Sequence, residues 1–389
     1  MKPRQTRPAK LWKAELAVIF LTAGLLFLFL QNPKNGRKVA GRPSSSASQN
    51  AASVPSISGV DKLVERLDNL QRYLSSSHSA ADAAAALSAM ARALANSTPT
   101  DAARALSLML DKGVDALTGL EFRVGPGGVL ASAPTFRVWM LDQLGQIDTA
   151  AAASFSAEIY ARHDSADEWA LALRNDWRIA STSGAIEPVR ARALELIDDQ
   201  VWSLQPSRGY LEAVDVTVAT LAWEAVPRFE QWLGPTQPTS LRTAAWIALD
   251  RMTMEMPSDF LPALAQNRAW LMTQPQLRAG LMARANLDSA SELKAVETYL
   301  ARTDISETEG ARFFELLPNV SATVSFNLVT IARTPGPAQA AQLDRAALHG
   351  VRQFQQDERF TRWKDNLVAA ETRLVDSVNS ATRGGYLKP

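Results

Sequence analysis

Residues 162–168, Arg-His-Asp-Ser-Ala-Asp-Glu, place one histidine and three carboxylates within six positions. His163 and Asp167 stand four apart, one helical turn. On a helix they would share a face and could hold a divalent metal or work as an acid–base pair. A plainer role competes. Ser165 followed by Glu168 is a capping box, and carboxylates in a first turn complement the helix dipole. The capping reading is favoured, so no catalytic, cofactor-binding or metal site is assigned. It leaves His163, Asp164, Asp167 and Glu168 as a helix start, with His163 a surface residue whose loss should matter little.

The other chemistry-bearing residues are sparse. His78 sits in Ser-Ser-Ser-His-Ser-Ala-Ala-Asp and reads as a solvated turn between helices. His349 precedes Gly350 and reads as a helix C-terminus, where a cation is favourable. Gly125, Gly127 and Gly128 flank Pro126 without a phosphate-binding lysine, so turn chemistry accounts for them. Asp198 and Asp199 form an acidic pair near a helix end with no partner motif. Zincin, nucleophile-elbow, P-loop and dinucleotide-binding signatures are absent. The chain has no cysteine, which removes disulfides, thiolate metal sites, a cysteine nucleophile and a lipidated N-terminal cysteine. Nine of the ten tryptophans lie from Trp139 onward. Each is expected to fill a helix–helix gap, with a ligand-stacking role as the alternative.

These residues need helices to position them. Leu63, Leu67, Leu70 and Leu74 fall at 4-3-4 spacing on one helical face. The segments 80–96 and 100–113 continue the helical pattern, the second ending on Gly113 as a left-handed C′ residue should. Ser165, Ser289 and Ser306 each precede a glutamate by three, and Pro134, Pro188 and Pro275 stand near helix starts. The exception is 120–132, where alternation around the glycines suggests one short hairpin at 121–131.

Four segments share a further pattern: PTFRVWMLDQLGQID (134–148), EPVRARALELIDDQ (187–200), TSLRTAAWIALDRM (239–252) and PQLRAGLMARANLD (275–288). Each places an arginine early in a helix with an Ala/Leu-rich face behind it. The pattern resembles the first helix of HEAT-type repeats over roughly 130–320. The resemblance implies an all-α fold built as a solenoid-like array of helical hairpins, HEAT- or TPR-like. The arginine intervals, 137 to 190 to 242 to 278, keep no fixed period.

The N-terminus decides location. Leu16–Leu30 carries no charge, and a helix over 14–31 would span about 27 Å, near the ~30 Å hydrocarbon core. Gln31-Asn32-Pro33-Lys34 follows instead of a small-residue cleavage site, which favours an uncleaved anchor over a signal peptide. The expected order is a basic cytoplasmic tail (1–13), a transmembrane helix (14–31), a disordered linker (32–58) and a helical repeat-like domain (59–389). The basic tail favours an N-in orientation in a bacterial-type cytoplasmic membrane, with the body outside.

Charge divides the same way. Residues 1–42 hold nine Lys or Arg against Glu15, and the rest of the chain has a net charge of −7. That acidic body argues against nucleic acid as a partner. The expected partners are the lipid bilayer, through 14–31, and another envelope protein. The functional expectation is a membrane-anchored extracytoplasmic scaffold for protein–protein interaction, with no cofactor. The alternative is a helical cell-envelope enzyme resembling the peptidoglycan-acting lytic transglycosylases.

Overall fold

The structure is a computed structural model that describes residues 59–76, 78–267, 269–321, 328–330 and 334–387. The basic tail, the apolar run 14–31 and the spacer to 58 lie outside the described residues. Among the described residues, no helix is long and apolar enough to cross a membrane.

The body is all-helical apart from one hairpin. It opens with α1 (Gly59–Leu74), α2 (Ala80–Ala95) and α3 (Pro99–Asp111). Leu63, Leu67, Leu70 and Leu74 are all buried, and α1 packs on both α2 and α3. Ser79 and Thr98 accept the Asp82 and Asp101 N–H groups, satisfying first-turn donors. Gly113 ends α3 at φ +67°, the left-handed residue expected there. Then β1 (Arg123–Val124) and β2 (Leu130–Ser132) pair antiparallel, with positive φ at Gly127 and Gly128 closing the turn. The expected hairpin is therefore present.

The next helices are α4 (Phe136–Ile147), α5 (Thr149–Ser154), α6 (Ser156–Arg162), α7 (Ala166–Ser183), α8 (Glu187–Asp198), α9 (Gln200–Leu204) and α10 (Arg208–Ala219). They are followed by α11 (Val226–Trp232), α12 (Thr239–Glu255), α13 (Pro257–Gln266) and α14 (Pro275–Met282). The chain finishes with α15 (Ala290–Leu300), α16 (Glu307–Leu316), α17 (Pro337–Gln356) and α18 (Lys364–Arg383). Packing follows chain order. Helices α3, α4, α7, α10, α12, α14, α16 and α18 each contact the next in that series. Helices α5, α8 and α13 each contact at least two neighbours in the row, and α11 contacts α12.

Helix α10 is the most enclosed. Residues 209–218 are all buried, so its polar side chains must be satisfied internally. Thr217 donates to the Val214 carbonyl, and Asp215 accepts from Arg251 Nη1 at 2.7 Å. The Val329 and Thr330 N–H groups also donate to Asp215, each at 2.8 Å, tying residues 328–330 to this helix.

Buried ion pairs recur along the row, linking a helix to its successor or, at Arg284, to the segment just after it. Arg137 of α4 pairs with Glu168 of α7, and Asp142 of α4 with Arg174 of α7. Asp215 of α10 pairs with Arg251 of α12. Asp250 of α12 receives both guanidinium arms of Arg284, at 2.7 and 2.9 Å. Arg278 of α14 makes the same two-pronged contact with Glu309 of α16, at 2.7 and 2.9 Å. Such pairs add little net stability, because two charges must first leave water, but removing one partner strands the other.

Two expectations about helix ends differ from the structure. Ser289 makes no capping bond; its box partner Glu292 instead accepts from Ser258 and from the Asn286 N–H. His349 does not end a helix, because α17 continues to Gln356. Gly350 is there for close approach: a Cβ would run into the Leu287 side chain.

Candidate functional site

The helix start at 165 forms as expected. Ser165 is extended and accepts the Glu168 N–H at 3.2 Å. The residues around it, however, are not brought together as a metal or acid–base site. Asp167 turns to α10, where its Oδ1 accepts from Ser207 Oγ at 2.6 Å and from the Gly209 N–H at 2.8 Å. Glu168 is buried between Arg137 and Arg162, and Asp164 pairs with Arg162. Burial pushes the Asp167 and Glu168 carboxyls up, opposed by these hydrogen bonds. Among the described residues, no group of three or more His, Asp or Glu side chains could hold a metal ion.

His163 has a different partner and a different role. It closes α6 in the left-handed conformation, φ 51°. Its ring lies 4.3 Å from that of Trp202 at 16°, meets Trp169 edge-on at 5.0 Å, and brings Nε2 to 2.6 Å from Asp199 Oδ2. Asp199 also caps α9 by accepting the Trp202 N–H. Although partial burial opposes it, the Trp202 N–H and His163 hold the Asp199 carboxyl below its ordinary range. The neighbouring Asp198 pairs with Arg228. The acidic pair thus has two separate jobs, which its local sequence did not disclose.

Among the described residues, the tryptophans are core residues with one exception. Trp139, Trp169, Trp232 and Trp363 are buried, and the indoles of Trp169 and Trp363 donate to the Ile159 and Leu300 carbonyls. Trp177, Trp202, Trp223 and Trp270 are half-buried against the core. Trp246 is 40% exposed.

Trp246 lies on a groove of about 820 Å³ between the start of α12 and the loops before α12 and α14. That volume is within the range of ligand sites. Leu233, Gly234 and Pro235 form one wall, Thr239, Arg242, Thr243 and Trp246 the helical wall, and Thr273 with Gln274 the end. Met272, next in chain to this end, is 63% exposed. Gln274 Nε2 donates to the Leu233 carbonyl at 3.4 Å, joining the two loops.

Arg242 is one of the four early-helix arginines of the repeated pattern, and its fate separates it from the others. Arg137 and Arg278 are buried in ion pairs, and Arg190 donates from Nε and Nη2 to the Thr220 carbonyl. Arg242 donates to Thr239 Oγ1 at 3.1 Å and, among the described residues, joins no ion pair. No carboxylate is among the residues lining its groove. The four-residue interval between Arg242 and Trp246 could have signalled a shared face, but not that the face is open.

Two smaller clefts do hold carboxylates. The one between α17 and α18, about 310 Å³, includes Asp357 and Glu371. Hydrogen bonds from Arg359 and Arg352 respectively hold both below the usual range, the reverse of what a general acid needs. The other, about 280 Å³, lies between α7 and α8 and includes Asp176. Burial pushes the Asp176 carboxyl up, and both its oxygens are occupied, by Ser156 Oγ at 2.7 Å and Tyr160 Oη at 2.8 Å.

The chain matches no protein-family model, no curated protein and no solved structure.

Proposed function

We propose that this chain is a membrane-tethered extracytoplasmic scaffold whose helical body binds another envelope protein. In this reading 14–31 is the uncleaved anchor, 32–58 the linker, and the body a HEAT-like array of helical hairpins. The supporting observation is how the buried charges are used. Glu168, Asp142, Asp215, Asp250 and Glu309 each serve a guanidinium on an adjacent stretch of the row. Meanwhile the most spacious of the clefts described above is lined by tryptophan, arginine and threonine without a carboxylate. A surface suited to binding and a set of acids committed to ion pairs favour recognition over hydrolysis. The recurrence of these pairs at separations of 31 to 36 residues supports the repeat reading.

The enzyme alternative has one observation in its favour, the raised carboxyl of Asp176 in a cleft. Incubating the full chain with purified glycan strands tests the choice. The scaffold reading expects intact strands. Cleavage that disappears in Asp176→Asn would overturn it. The tether is tested by cell fractionation and added protease: the body should sediment with membranes and be digested only after the outer envelope is opened.

A further inference from the structure

We infer that the groove at Trp246 is a recognition site for an extended acidic peptide with apolar side chains; the inference rests on the scaffold reading. The groove carries one formal charge, that of Arg242, and no lining carboxylate opposes it among the described residues. The body as a whole, residues 43–389, is net negative, so the charge at Arg242 is a local one and not part of a basic face. A ligand carboxylate therefore finds at Arg242 a cation that no ion pair of its own occupies, and a charge-assisted hydrogen bond there is among the stronger kinds. Trp246, one turn further along α12, offers an exposed indole face for an apolar side chain, with Leu233 opposite. Thr243 Oγ1 donates to the Thr239 carbonyl and Gln274 Nε2 to that of Leu233, which leaves the Thr243 hydroxyl oxygen and the Gln274 amide oxygen as acceptors for an extended backbone. The arginine at the corresponding place in α4 and α14 is consumed by a buried glutamate, so the open position at 242 is a departure from the pattern.

The test uses the full chain in detergent micelles and fluorescence polarisation. One probe is a labelled decapeptide alternating glutamate with leucine and proline. A second replaces each glutamate by lysine, and a third is a labelled N-acetylglucosamine oligomer. The acidic peptide should bind and the basic one should not. Arg242→Glu should weaken the acidic peptide by about tenfold or more and confer binding of the basic one, a reversal that loss of fold cannot produce. Trp246→Ala should weaken the acidic peptide and, combined with Arg242→Glu, the basic one. Failure of the acidic peptide to bind, or binding indifferent to Arg242→Glu, overturns the inference. Binding of the glycan alone overturns it in favour of a sugar site. The scaffold reading is judged separately, since a partner cross-linked from another face would leave it standing while this groove proved empty.

Discussion

Removing the imidazole of His163 takes away a stack on Trp202, an edge contact with Trp169 and the partner of Asp199. His163→Ala should therefore destabilise by about 1–2 kcal/mol in urea titrations, against about 1 kcal/mol for Ser165→Ala, which loses one cap bond. Zinc should not raise the melting temperature of the parent or either variant. At Asp304, hydrogen bonds from Arg302 hold the carboxyl at about 2, below its ordinary 3.8. Folding thus favours the ionised form. That contribution is complete above the unfolded value and is lost as pH falls from about 4 through about 2. Urea midpoints followed across this window should drop less steeply in Asp304→Asn. Ser165 was legible because its cap bond lies within three residues, whereas at Ser289 the same spacing makes no cap bond and Glu292 takes partners from Ser258 and Asn286. The His163–Asp199 contact joins positions 36 apart, and nothing local encodes it.

Between helices, the Arg278–Glu309 pair gives a sharp expectation. Arg278→Ala leaves Glu309 buried with only Tyr299 beside it, and should cost about 3–5 kcal/mol. Arg278→Met combined with Glu309→Leu should recover most of that loss, because both desolvated charges are gone. A double-mutant cycle by chemical denaturation checks both. Helix α16 also depends on Gly310, whose missing side chain admits the Trp363 ring. Gly310→Ala should destabilise by roughly 1–3 kcal/mol through overpacking, despite the better helix former. The helices themselves were readable from periodicity, caps and prolines. What each early arginine does was not: Arg137, Arg190, Arg242 and Arg278 share a sequence position, and tertiary neighbours alone divide them between core, helix end and open groove.

At the scale of the whole molecule, the helices from α3 to α18 pack in chain order, each of the row on the next. The all-helical class and the single hairpin followed from local pattern. The Trp246 groove did not, since it is made where two loops separated by some 40 residues meet. The most direct measurement is photo-cross-linking in living cells from the full-length, membrane-inserted chain. An aromatic cross-linking residue would replace Trp246, keeping a ring at that position, with control positions at Val201 and Val368, both exposed on other helices. The expected result is a discrete adduct from position 246 to one envelope protein, identified by mass spectrometry and lost with Arg242→Glu. Absence of any protein adduct from all three positions would contradict the scaffold reading.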